Sequence, residues 1–169
     1  MAEDFKVTPW EVTGDIDYDV LMKRFGTTPI DEAMIKRIAK YGEVHPMLRR
    51  GIFYSHRDLG WLLDEYDKGN RFYLYTGRGP SGNTHLGHMM PWIFNKWVQD
   101  TFKVKMIFQM TDDEKFLFKD LTLHDTRDMA YENALDFVAL GFDPDNTKII
   151  VDTENIDRLY PIALRVAKK

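Results

Sequence analysis

An α/β fold is expected, with a parallel sheet in the C-terminal part and a helical extension before it. Three features of the sequence predict this. From Arg71 onward, short apolar runs (72–76, 104–110 and 148–151) alternate with stretches of helical periodicity, and such alternation builds parallel strands joined by helical crossovers. Between the first run and the first helical stretch, Gly77, Gly79, Pro80 and Gly82 break the chain. Before Arg71, apolar residues recur at helical spacing. The expected organisation is a helical extension over 1–70, followed over 71–169 by the first half of a doubly wound sheet.

The elements follow in order. Residues 1–15 are polar, with Pro9 and Gly14, and read as an extended arm that Trp10 pins to the body. A short helix over 17–25 ends at Gly26. Thr28 before Pro29 reads as the start of a second helix, with Ile30, Met34, Ile35 and Ile38 on one face and Gly42 as its stop. Ser55 with Asp58 has capping-box spacing ahead of Leu59, Leu62, Leu63 and Tyr66. The run 72–76 lacks alternation, so both faces of that strand are expected to be covered. Thr84 is the expected N-cap of a helix over 85–101, bent at Pro91. Helices over 112–120, 123–140 (ended by Gly141) and 156–169 complete the chain.

At 169 residues and 44% hydrophobic, the chain can bury one sizeable core. A net charge of −4 argues against a nucleic-acid footprint spread along the whole sequence. Without cysteine there are no disulfides or thiolate metal sites. No stretch approaches the ~18 apolar residues of a membrane span, and the N-terminus lacks a signal-peptide pattern, so a cytoplasmic protein without membrane contact is expected. With only three strands, the first would carry an open edge, which intact proteins avoid. The chain is therefore expected to be an N-terminal piece of something longer, or to need a partner.

The chemistry concentrates at the strand ends. Strand, glycine-rich turn and helix N-terminus together hold phosphate, because the backbone approaches closely and the first N–H groups are unpaired. His85 and His88 stand at i, i+3 in that first turn and could stabilise charge as pyrophosphate leaves; otherwise they face solvent. A zinc reading lacks a third ligand at suitable spacing. Arg78 could cross a phosphate or an adenine, and Gly79 and Gly87 stand where a side chain would obstruct a nucleotide. After the second strand, Thr111 and Glu114 have capping-box spacing. Strand carboxyl ends also line the crevice of open α/β sheets, so Glu114 could meet an ammonium group and Lys115 a phosphate. Gln109, among Met106, Ile107, Phe108 and Met110, either bonds neighbouring backbone or waits for a polar ligand atom. Tyr75 would need a partner for its hydroxyl.

Several blocks resemble a known family. They are Ile-Asp-Tyr-Asp (16–19), Leu-Arg-Arg-Gly-Ile-Phe (48–53), Phe-Tyr-Leu-Tyr-Thr-Gly-Arg-Gly-Pro-Ser (72–81), His-Leu-Gly-His (85–88) and Gln-Met-Thr-Asp-Asp-Glu-Lys (109–115). His-Leu-Gly-His resembles the HIGH signature of class I aminoacyl-tRNA synthetases, and the whole set resembles tryptophanyl-tRNA synthetases of eukaryotic and archaeal type. The resemblance implies a Rossmann-like catalytic domain that activates L-tryptophan with ATP and Mg2+, then charges tRNA(Trp), in an enzyme that is a homodimer at full length. It implies that Tyr75 and Gln109 meet the indole N–H and Glu114 the α-amino group. Arg78, Gly79, Pro80, Gly87 and His88 would contact ATP, with His85, His88 and Lys115 serving catalysis.

One family signature, a lysine-rich KMSKS-like loop, is not found in these residues, nor is an anticodon-binding domain. The chain alone is therefore expected to be inactive. The alternative is a nucleotide-binding or regulatory fragment without catalysis of its own. A different HIGH-type nucleotidyltransferase is disfavoured by Gln109 together with Glu114.

Overall fold

The computed structural model describes residues 6–7, 12–14 and 17–169, which divide into two compact units, 1–69 and 70–169. The expected role of Trp10 lies outside the described residues.

In the first unit, β1 (Lys6–Val7) pairs antiparallel with β2 (Val12–Thr13), where an extended arm was expected. Helix α1 (Tyr18–Phe25) is capped by Asp17, which accepts from the N–H groups of Asp19 and Val20, and ends at Gly26 with φ +62°. Thr28–Pro29 does not start a helix. It forms β3, paired antiparallel with β4 (Ser55–His56). The next helix, α2 (Glu32–Ile38), begins after Asp31, whose carboxylate accepts from Met34 N–H at 2.8 Å. Strand pairing also removes Ser55 from the expected capping box. After α3 (Pro46–Arg49), the helix α4 (Leu59–Asp67) starts with Leu59 N–H donating to His56 Nδ1 at 3.2 Å. Ile38, Leu48 and Leu63 form the buried residues of these helices.

The second unit contains the parallel sheet, ordered β5 (Tyr73–Arg78), β6 (Lys105–Met110), β7 (Thr147–Val151). Helix α5 (Leu86–Phe102) joins the first two strands; α6 (Asp112–Phe118) and α7 (Leu123–Ala139) join the second to the third; α8 (Ile156–Ala167) follows. Pro91 lies inside α5. This is a Rossmann-like α/β arrangement.

Alternation governs the strands. Met106, Phe108 and Met110 point from one face of β6 into a core with Trp92, Ala130, Phe137, Phe142 and Val151. Phe137 stacks between Phe108 (3.8 Å) and Phe142 (4.1 Å), and Trp92 meets Phe108 edge-on at 5.3 Å. The opposite face stays open: Tyr73 and Tyr75 are 65% and 62% exposed. The expectation that the first strand is covered on both faces is thus corrected, since only one face of β5 packs. Among the described residues no helix is long and apolar enough to cross a membrane.

Candidate active site

The carboxyl ends of β5 and β6 are held in tight register, Gly77 opposite Gln109 and Arg78 opposite Met110. A Cβ at Gly77 would stand 2.5 Å from the Gln109 carbonyl oxygen, so only glycine fits. Beyond it the chain turns through Pro80, which is fully buried. Ser81 N–H donates to Asn133 Oδ1 at 3.1 Å and Asn133 Nδ2 to the Gly82 carbonyl at 3.4 Å, which fastens the turn to α7.

Arg78 is the internal brace of this turn. It is 7% exposed and donates to Thr84 Oγ1 (2.5 Å), Ser81 Oγ (2.9 Å) and the Gly82 carbonyl (2.9 Å), with its guanidinium 5.7 Å from the Trp92 ring centre. Burial holds its pKa below the usual arginine value. Arg78 is therefore directed into the protein rather than across an open phosphate site. Its buried Nε has no hydrogen-bond partner. The brace also explains a second correction: Arg78 claims the Thr84 hydroxyl, and the N-cap position of α5 falls to His85.

The two imidazoles come together. His85 N–H donates to His88 Nδ1 at 3.4 Å, and the rings stack at 3.7 Å. With Nδ1 accepting, the proton of a neutral His88 belongs on Nε2. Burial, then the charges of Arg78 and His85, hold the His88 pKa below its ordinary value. A Cβ on Gly87 would come within 3.2 Å of the His85 ring, so glycine there leaves the imidazole its place.

Gln109 does not bond neighbouring backbone with its side chain, as one of its two expected roles required. Its bonds go to side chains: the Tyr75 hydroxyl donates to its Oε1, and its Nε2 donates to both oxygens of Asp152 at 2.8 Å. Burial, reinforced by Asp113 and Asp112, raises the Asp152 pKa against the lowering effect of that amide. The Thr111–Glu114 pair is not a capping box either. Thr111 Oγ1 donates to Glu114 Oε2 at 3.2 Å, which fixes the carboxylate at the start of α6. Lys115 Cε lies 3.8 Å from where a Gly79 Cβ would be, so this lysine reaches back over the glycine turn.

The structure thus pairs Tyr75 with Gln109, His85 with His88 and Glu114 with Thr111, and sets Lys115 beside Gly79. Sequence reasoning missed Asp152, Asn133 and the placement of Trp92 beneath Arg78. An acid directly after the apolar stretch 149–151 was the available signal for Asp152. A cavity of about 650 Å³ lies between the glycine turn and α7, lined by Ser81, Asn83 and Thr84 and by Asp125, Met129 and Glu132; neither histidine nor Gln109 lines it.

No family model matches the chain. A tryptophan–tRNA ligase of Pyrobaculum calidifontis is 54% identical over 171 residues, covering all of this chain and 46% of that protein. One from Sulfolobus acidocaldarius is 51% identical over 172 residues, with 100% and 45% covered. Among solved structures, the tryptophanyl-tRNA synthetase of Trypanosoma brucei superposes with a TM-score of 0.85 at 47% identity, over 89% of this chain and 47% of that one. The chain belongs to the tryptophanyl-tRNA synthetase family.

It spans about half the length of the curated tryptophan–tRNA ligases it matches and corresponds to an N-terminal portion of this family. A further tryptophanyl-tRNA synthetase, from Encephalitozoon cuniculi and solved bound to tryptophan, superposes with a TM-score of 0.84 at 42% identity, over 91% of this chain and 44% of that one.

Proposed function

We propose that this chain is the N-terminal part of a cytoplasmic, homodimeric enzyme that activates L-tryptophan with ATP and charges tRNA(Trp). The observation that carries the proposal is the pair of joined oxygens, Tyr75 Oη and Gln109 Oε1, on the open face of the sheet. Once the hydroxyl proton is spent on Gln109, the phenolic oxygen is left with lone pairs for an incoming N–H. A ring without an N–H donor leaves such an acceptor unpaired, a form of recognition that discriminates by roughly 10⁴ to 10⁵.

In this reading Glu114, held by Thr111, receives the α-ammonium group. The tryptophan carboxylate oxygen attacks the α-phosphorus in line. A P–O bond forms as the bond to the β-phosphate bridging oxygen breaks, and pyrophosphate leaves with that electron pair. Gly79 and Pro80 shape the turn that lets phosphate approach, and Gly87 leaves His85 its place. His88 donates Nε2–H to phosphate oxygens, and His85 and Lys115 stand against the charge that builds on the leaving group. Arg78 serves by holding the turn, its donors directed to Thr84, Ser81 and the Gly82 carbonyl. Among the described residues no group of three or more His, Asp or Glu side chains could hold a metal ion, so no Mg2+ ligand is assigned to these residues.

The test is ATP–pyrophosphate exchange by the complete enzyme. Exchange that depends on tryptophan is expected. ATP binding without such exchange would overturn the reading and favour a nucleotide-binding or regulatory role.

A further inference from the structure

Asp152 follows β7 directly, is 5% exposed, and holds both oxygens 2.8 Å from Gln109 Nε2. An ionised carboxylate can only accept hydrogen bonds, so the amide nitrogen, not the oxygen, must face it. That choice turns Oε1 toward Tyr75 and obliges the tyrosine to donate inward. Were the amide reversed, Tyr75 would meet an N–H donor, and its own proton would turn outward against any N–H on a ligand. Asp152 is itself fixed: Asn155 N–H donates to its carbonyl at 3.1 Å, and Asn155 Nδ2 to the Val151 carbonyl at 2.9 Å. The neighbouring acid Asp112 does not compete for the amide, because its oxygens accept from Thr153 N–H (3.0 Å) and Thr153 Oγ1 (2.5 Å).

We propose that Asp152 is a positioning residue: its carboxylate locks the Gln109 carboxamide so that the site presents oxygen acceptors to a ring N–H. The inference rests on the reading of tryptophan as substrate. Two bonds separate Asp152 from the ligand, and each polarises the next. The carboxylate draws the amide hydrogens and enriches Oε1; Oε1 draws the tyrosine proton and enriches the phenolic oxygen.

The test uses the complete enzyme in ATP–pyrophosphate exchange, with tryptophan and with its benzothiophene analogue, which carries sulfur in place of the ring N–H. Asp152→Asn keeps the shape of the side chain but offers either an oxygen or an amide to Gln109, so the carboxamide is free to turn. It is expected to lower kcat/KM for tryptophan about tenfold, the size of one lost hydrogen bond, while leaving kcat/KM for the analogue and KM for ATP unchanged. The ratio between the two substrates is read on the same enzyme molecules, so a smaller folded fraction does not alter it. An unchanged ratio, whether both substrates fall or neither does, overturns the positioning role. A wild-type enzyme that shows no tryptophan-dependent exchange, or uses the analogue as readily as tryptophan, overturns the substrate reading instead.

Discussion

His88 is held as a neutral imidazole. Burial disfavours its cation, and the charges of Arg78 and His85 disfavour it further, so its folded pKa lies below the unfolded 6.5. As pH falls, the unfolded chain takes up the proton first. The stability this group contributes is therefore complete above 6.5 and is lost as pH drops through the lower folded value. His88→Gln removes the titration while keeping an amide that can serve as acceptor and donor. Its melting temperature is expected to fall less than that of the wild type between about pH 7 and about pH 5. His45, also held low by burial and by Arg49, is present in both proteins and cancels in the comparison. Parallel curves would show that His88 is not desolvated. Gln109 shows how far a single residue could be read. A carboxamide in an apolar strand announced an unusual requirement for partners, but a partner 43 residues away in sequence left no local trace. Arg78 is hard to read for a similar reason: between two glycines it resembles a loop residue open to solvent, and only the closed turn shows that its donors face inward.

In the second unit element types were legible and element ends were not, whereas in the first unit Thr28–Pro29 reads as a helix start and is a strand. All three strands and the helices between them follow from hydrophobic spacing, because the one-faced core of Met106, Phe108, Met110, Trp92 and Phe137 imposes it. Ends depend on which polar group reaches a free N–H first. Asp31 displaces Thr28 as a cap, and His85 takes over from Thr84 after Arg78 has claimed the hydroxyl. The openness of β5 was hidden because its large exposed side chains are tyrosines, which read as apolar in a pattern. Register between β5 and β6 decides whether Tyr75 can reach Gln109, and Gly77 guards it. In Gly77→Ala, the new methyl group would lie 2.5 Å from a backbone oxygen that has no room to yield, so the strands must part. Overpacking of this kind costs about 1 to 3 kcal/mol. The variant is expected to melt earlier and to lose affinity for tryptophan out of proportion to ATP. Unaltered tryptophan affinity would mean that the strands absorb the methyl group without moving Gln109.

At the scale of the molecule, apolar surface exceeds what these residues cover. The open sheet face displays Tyr73 and Tyr75, and α8 buries none of its residues while exposing Ile156, Tyr160, Ile162, Leu164 and Val166. Contiguous exposed apolar surface marks a site for further contacts, and the matched ligases are about twice as long as this chain. Two histidines and one lysine face the triphosphate in the proposed arrangement, whereas the lysine-rich loop of the family signature is not found in the sequence. Each donor that stabilises the leaving charge is worth roughly 10² to 10³ in rate, so losing a loop that carries several removes most of the acceleration. The isolated 169-residue polypeptide is therefore expected to bind an apolar fluorescent dye and to give no measurable tryptophan-dependent exchange. Adding the remainder of the enzyme in the same chain should quench the dye signal and restore exchange together. Ordinary turnover from the 169 residues alone would show that the glycine turn, the histidine pair and Lys115 suffice for the chemistry.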